Sequence, residues 1–301
     1  MQRKFIAFVN PSTRGNANHL LANMHRAAPA DAMIVVHETT VDRIDPRILP
    51  DDGDLEAVIA VGGDGTVADV ATAIGDRDIP LAIIPGGSTN IIARGLGISS
   101  DPRKAAALIF GAHKIRAIDV GICGEKRFLH MAGAGFDSRL FLATNRGLKR
   151  RMGWLAYLPG AARSVAMPPA RFTITVDGNV IELMSPLVLI ANGAAIIHPR
   201  LEIYPHINND DGLLDVVIFS ATDSRGVFRS VMGFATRSMP KSRDVMRLQG
   251  RNITLAAEPA MPVQLDGDVM GETPACFSIA ARPLKIVTPI VKQRGKRSDL
   301  R

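Results

Sequence analysis

Aromatic side chains are scarce in this chain of 301 residues, which has one Trp, two Tyr and eleven Phe. Proteins that hold single-stranded nucleic acid stack its bases on aromatics set between cations, and a chain so poor in Trp and Tyr lacks that platform. Cysteine is nearly absent. Cys123 and Cys276 have no metal-ligand spacing and no need to pair, which sets aside a disulfide scaffold and fits a reducing compartment. His130, His198 and His206 are scattered without the spacing of a zinc site. No apolar run approaches the ~20 residues that span a bilayer, and Phe5 to Val9 falls short of the ~7–15 residues of a signal-peptide core. The expectation is a cytoplasmic protein with no nucleic-acid partner. Acidic residues are outnumbered, 29 against 36 Lys and Arg, for a net charge of +7. That excess points to an anionic partner, but phosphate and an anionic membrane share the sign. Part of it lies in the tail, Lys292 to Arg297, which reads first as a solvated end and second as a membrane contact.

What the chain does have is apolar material, 47% of its residues, and enough length for two domains. Strand-like and helix-like segments alternate over the first ~120 residues, as in a mostly parallel sheet with helices on its faces. The expected strands are Lys4–Val9, Met33–Glu38, Ala57–Val61 and Leu81–Ile84. Each is followed by small, hydrogen-bonding residues: Asn10 to Asn16, Thr39-Thr40, Gly62 to Thr66 and Gly86 to Asn90. In an open parallel sheet these turns share the carboxyl edge, where ligands bind. After Arg116 short strands follow one another with little helix between them: Ile118–Ile122, Arg127–Met131, Arg171–Val176, Val180–Met184, Leu187–Ala191, Leu214–Ser220, Asn252–Ala256, Val263–Leu265 and Cys276–Ala280. That is a predominantly antiparallel second domain, interrupted by helical intervals at roughly 138–165 and 223–239. The division places an α/β domain at 1–117 and a β-rich domain at 118–285, with the tail from about 286 to 301 free to return to the first.

Residues 57–74, AVIAVGGDGTVADVATAI, are the most telling. The apolar run to Val61 reads as a strand buried on both faces, and Val67, Val70, Ala71 and Ile74 recur at helical spacing. Thr66 is the expected N-cap. Gly62, Gly63 and Gly65 leave backbone N–H groups open to an anion at the positive end of the helix. Asp64 would repel a bare phosphate, so a phosphate chain carrying Mg²⁺ is the better fit, with the carboxylate toward the metal or its water. Alone, the turn also reads as a tight glycine corner between buried elements.

The motifs together resemble the diacylglycerol kinase catalytic-domain family, which includes bacterial lipid kinases and sphingosine kinases. The resemblance rests on NPSTRGN at 10–16, GGDGT at 62–66, PGGSTNIIARGLGI at 85–98, AGAGFDSRL at 132–140, DDGLLDVVI at 210–218 and LDGD at 265–268. GGDGT alone is shared with NAD kinases; the combination is not. The resemblance implies an ATP-dependent lipid kinase, acting on diacylglycerol or a related lipid in a cleft between the domains. Asn10, a threonine at 39 or 40 (Thr40 in the assignment), Gly62, Gly63, Asp64, Gly65, Thr66 and Ser88 would line the ATP site. Asp268 would be the catalytic base, in place of the family's more usual Glu. Asp211, with carbonyls of Asn208 and Leu213, would hold an accessory Mg²⁺. The family commonly has Asn-Glu after GGDGT-x, where this chain has Ala68-Asp69, and often Asp where it has Ile91. A lipid substrate implies work at a membrane surface, and the segment from Gly147 to Leu158, with Lys149, Arg150, Arg151 and Trp154, suits peripheral contact at the inner face; its apolar side would equally suit packing on the β domain. Two other readings stand beside this one: a non-catalytic lipid- or nucleotide-binding relative, and an NAD kinase.

Overall fold

Runs of Val, Ile and Ala without polar interruption become the inner strands of a parallel sheet. The structure is a computed structural model that describes residues 2–13, 16–39, 44–51, 55–135, 169–195, 202–220, 225–226, 229 and 244–290. β1 (Arg3–Val9), β2 (Ala32–Glu38), β3 (Ala57–Gly62) and β4 (Leu81–Pro85) pair in parallel in the order β2-β1-β3-β4. Helices α1 (Ala17–Ala27), α2 (Asp64–Ile74), α3 (Ile91–Gly95) and α4 (Pro102–Phe110) cover the two faces. Leu20 and Met24 of α1 and Ile109 of α4 pack with Phe5, Ala7 and Ile59 on one face; α2 and α3 pack with Ile6, Phe8, Val58 and Ile83 on the other. α2 starts two residues before Thr66, with Gly63 as an extended N-cap and Asp64 in its first turn. A first turn needs no apolar residue, so the apolar period marked the helix late; Thr66 lies inside it. β5 (Lys114–Ile118) ends this part of the chain.

The rest builds two antiparallel sheets. One contains β6 (Gly121–Cys123), β7 (Lys126–Phe128), β9 (Ala170–Val176), β10 (Asn179–Ser185), β14 (Asn252–Glu258) and β17 (Ala275–Ile279), in the order β10-β9-β14-β17-β6-β7. The other contains β8 (Met131–Ala134), β11 (Leu187–Ala191), β12 (Leu214–Phe219), β13 (Val245–Gly250), β15 (Pro262–Leu265) and β16 (Asp268–Glu272), in the order β13-β12-β11-β8-β15-β16. Phe128, Phe172, Ile174, Leu255 and Phe277 from the first interleave with Val188, Ile190, Val216 and Val263 from the second in one core. The fold is thus the expected one, an α/β domain with a mostly parallel sheet followed by antiparallel strands. The last strand, β18 (Leu284–Thr288), crosses back into the first sheet, parallel to β4 and antiparallel to β5.

Two expected strands are each broken by a carboxylate. Ile118–Ile122 splits at Asp119, whose N–H donates to the Asn209 carbonyl at 2.7 Å and whose Oδ2 accepts from the Gly212 N–H at 2.7 Å. Arg127–Met131 splits into β7 and β8, because the N–H groups of Leu129, His130 and Met131 turn to the Asp266 carboxylate. The two domains share apolar contacts, since Val120, Leu129, Ala195 and Ala280 join the cluster beneath α2 and α3. Thr40, the segment 147–158, the interval 138–165, most of 223–239 and the tail beyond 290 lie outside the described residues.

Candidate active site

In a sheet ordered β2-β1-β3-β4, the chain leaves β1 toward one face and β3 toward the other, so a crevice opens between their carboxyl ends. Asn10 and the first glycine turn flank it. The Asn10 N–H donates to the Val61 carbonyl at 3.1 Å, and its Nδ2 reaches Thr66 Oγ1 at 3.4 Å. The N–H groups of the first turn of α2 have no acceptor within the helix, and none of them is met by a capping side chain at Gly63. Asp64, expected to face a metal, is spent otherwise. Its Oδ1 accepts from the Ile92 N–H at 3.1 Å, and the amides of Asn90 and Ile91 also bond to the carboxylate. Burial pushes its pKa up, opposed by those amides and by Arg94. The carboxylate therefore caps α3 and ties the first glycine turn to the second.

The two turns touch through bare backbone. A Cβ built on Gly87 would lie 2.7 Å from the Gly63 Cα, and the Gly86 N–H donates to the Gly62 carbonyl at 2.7 Å. Asn90 closes its own turn, with Oδ1 accepting from the Gly87 N–H and Nδ2 donating to the Gly87 carbonyl, both at 2.9 Å. Beside this turn is a cavity of about 350 Å³ lined by Leu20, Gly86, Ser88, Arg94 and Ser100 among others. A Cβ on Gly86 would meet both Leu20 and Thr13 Oγ1 at 2.6 Å, and that Thr13 hydroxyl is buried without a partner. An orphaned buried hydroxyl costs about 1–3 kcal/mol. The unsatisfied hydroxyl, the backbone cradle, the Ser88 hydroxyl and a guanidinium form a donor set that fits a phosphate group.

Asp268 meets this edge from the other domain. A Cβ on Gly65 would lie 3.3 Å from Asp268 Oδ2, so the carboxylate stands against the first turn of α2. The hairpin that delivers it turns through Asp266 (φ 47°) and Gly267 (φ 101°), with Leu265 opposite Asp268. Two consecutive positive φ values are those of a type I′ turn. Asp266 lies inside, its oxygens accepting from the N–H groups of Leu129, His130 and Met131 at 2.8–3.0 Å. Burial pushes its pKa up to about 6 against those amides. His130 next to it bonds through Nε2 to the Ala195 carbonyl, and burial lowers its pKa to about 4.

The turn holding Asn208, Asp211 and Leu213 is anchored from the first domain's end. Arg116 donates to Asn209 Oδ1 at 2.7 Å and to Asp210 Oδ2 at 2.8 Å. Asp211 Oδ1 accepts from the Leu213 N–H at 3.1 Å. Behind it Asp215 is fully buried, with Oδ1 paired to Arg247 and Oδ2 lacking a partner. Burial raises the Asp215 pKa, against the pull of Arg247 and with a further push from Asp211. Among the described residues no three His, Cys, Asp or Glu side chains converge as a metal cluster.

Thus Asn10, Gly62 to Thr66, Ser88 and Asp268 gather at one edge, while Asn208, Asp211 and Leu213 form a separate turn. Thr13 and Arg94, which stand beside the second glycine turn, were not among the expected site residues; Thr13 lies within the Asn10 to Asn16 turn, and a basic residue on α3 carries no distinguishing signal. Two of the departures from the family pattern, Ala68 and Ile91, are apolar: Ile91 is 7% exposed in the apolar cluster of α2 and α3, and Ala68 packs against the same cluster.

Glycine turns at the edge of a parallel sheet thus stand opposite a carboxylate from a β-sandwich. The chain matches the diacylglycerol kinase catalytic domain over residues 4–123 and the YegS C-terminal NAD kinase beta sandwich-like domain over 130–288. It belongs to this family of lipid kinases. It is 31% identical over 223 residues to a Pseudomonas putida protein named "Probable lipid kinase YegS-like", covering 69% of this chain and 72% of that one. With the diacylglycerol kinase of Bacillus subtilis it shares 27% identity over 252 residues, 82% of this chain and 81% of that protein. An uncharacterized Synechocystis protein is 28% identical over 239 residues, a match that spans 77% of this chain but only 55% of that longer protein. The crystal structure of a diacylglycerol kinase from Bacillus anthracis superposes with a TM-score of 0.70 at 21% identity, covering 95% of this chain and 97% of that one, which shows the shared fold. Among the described residues no helix is long and apolar enough to cross a membrane.

Proposed function

We propose that this protein transfers the γ-phosphate of ATP to the hydroxyl of diacylglycerol or a related lipid, with Asp268 as the general base. The observation that carries this reading is the placement of Asp268 Oδ2 against Gly65 at the head of the phosphate turn. A carboxylate there can take the hydroxyl proton as the oxygen forms its bond to phosphorus and the bond to the departing ADP oxygen breaks. The N-terminal amides of α2, the glycine backbone, Asn10, Ser88 and Arg94 would orient the phosphates and oppose their charge. Val269 and Met270, 46% and 37% exposed, follow Asp268 along the edge strand β16. They give the acceptor side an apolar lip that suits acyl chains arriving from a membrane surface, where the protein would act as a peripheral cytoplasmic enzyme of phospholipid synthesis.

Mg²⁺ would accompany the nucleotide. A second ion suits the turn at Asp211, whose carboxylate and nearby Asn208 and Leu213 carbonyls are hard oxygen donors, backed by the unpartnered oxygen of Asp215. Its part would be to hold that turn in shape. Incubating the protein with γ-labelled ATP, Mg²⁺ and a panel of lipids in mixed micelles tests the reading. Labelled phosphate should pass to a hydroxyl-bearing lipid and not to NAD; label on NAD, or on no acceptor, would overturn it.

A further inference from the structure

The side of α2 turned to the second domain is a polar stripe. Gly65, Asp69 and Thr72 recur at i, i+4 and i+7, and Asp76 follows just past the end of the helix. Each meets the other domain. Gly65 faces Asp268. Burial raises the Asp69 pKa, Lys126 lowers it and Asp268 raises it, which places both groups within electrostatic reach. Thr72 Oγ1 donates to the Ala68 carbonyl at 2.9 Å and accepts from the Arg127 N–H at 3.1 Å. Asp76 Oδ1 accepts from Arg127 Nη2 at 2.6 Å, and the Arg127 side chain is only 11% exposed.

These contacts close a ring. From Thr72 the path runs to Arg127 on β7, then along the chain to the amides of Leu129, His130 and Met131. Those amides hold Asp266, two residues before Asp268, and Asp268 returns to α2 at Gly65. The apolar contacts across the domains are non-directional and tolerate sliding, whereas a hydrogen bond at 3.1 Å fixes register. We propose that Thr72, supported by Arg127 and Asp76, is a positioning residue that sets the register of the second domain on α2 and so the gap between the Asp268 carboxylate and the phosphate turn. The inference rests on the reading of Asp268 as the base.

Thr72→Val keeps the shape of the side chain and removes the acceptor; Thr72→Ser keeps the hydroxyl. A misplacement of about 1 Å costs up to ~10²-fold in rate, so Thr72→Val should lower kcat for lipid phosphorylation at least ~5-fold, with the Kd for ATP changed less than about twofold. Thr72→Ser should stay within about twofold of the parent, and adding Thr72→Val to Asp268→Asn should cause no further loss, as for residues acting as one unit. A parent-like kcat in Thr72→Val, or the same fold-loss in the Asp268→Asn background, overturns the proposal. A second readout does not need activity: nitroxide labels at Asp31 and Glu182, with Cys123 and Cys276 replaced by Ser, report the distance between domains. A distribution broader or shifted in Thr72→Val supports the proposal, and an identical one overturns it. A parent that phosphorylates no lipid refutes the kinase reading and leaves this second measurement to judge the positioning.

Discussion

Asp266 and Asp268 stand two positions apart in one hairpin and do different things. Asp266 has the positive φ of the turn and is buried under three amides, so the hairpin corner rests on it and on Gly267. Asp268 begins β16 and is free of that duty. The structure puts the corner on Asp266 and Gly267 and leaves the Asp268 carboxylate against the first turn of α2. The pair of Asp266 and His130 also makes a prediction about pH. Asp266 is raised to about 6, so the folded state keeps a proton that the unfolded state has lost; it contributes stability at low pH that disappears as pH rises through about 6. His130 is lowered to about 4, so the unfolded imidazole binds a proton that the folded one refuses, and stability falls as pH drops from about 6.5 toward 4. The two slopes oppose each other. His130→Asn removes one of them, so its melting temperature relative to the parent should rise on acidification from about pH 6.5 to 4.5. A difference that does not vary with pH would mean that His130 is charged, or solvated, in the folded protein.

At the scale of elements, most inner strands were legible because burial on both faces leaves an unbroken apolar run. β3 and β4 show this, with every residue buried. β5, β13, β16 and the inner strand β18 were missed, and all but β18 carry weak patterns. β13 and β16 are edge strands, partly or wholly exposed, so no core face imposes an alternation on them. Breaks at Asp119 and at Leu129 were invisible because their cause lies far along the chain, at Gly212 and Asp266. The glycine turns were legible as turns at the carboxyl edge of the sheet, but the capture of Asp64 by α3 was not, since it depends on a contact 28 residues away. β16 carries its own prediction. Val269→Ser with Met270→Ser should raise the KM for a lipid in micelles at least ~10-fold, the equivalent of the ~1.5 kcal/mol lower end for burying one such side chain, and leave the KM for ATP unchanged. An unaltered lipid KM would place the acyl chains on another surface.

For the molecule as a whole, the chain leaves the first sheet after β5, builds the sandwich and returns through β18 to lie between β4 and β5. The first domain is therefore not a continuous piece of sequence, and the sandwich is a continuous insertion within it. Ending the chain after Ala280 removes an inner strand of the first sheet, including the fully buried Ile286; such a protein should show no cooperative thermal transition for either domain, and a normal transition for the sandwich alone would show that the domains fold independently. The same topology lets the Asp268 carboxylate of the sandwich stand over the first glycine turn of the sheet, and that arrangement is the basis of the proposed function. Its most direct test is the initial rate of phosphate transfer from ATP to diacylglycerol at saturating ATP, Mg²⁺ and lipid, for the parent and for Asp268→Asn. The amide has the shape of the acid and cannot take the hydroxyl proton, so the rate should fall ~10²-fold or more, with the Kd for ATP unchanged and with substantial activity kept by Asp268→Glu. An Asp268→Asn protein that retains more than about a third of the parent rate, far above what loss of a general base permits, would contradict the account.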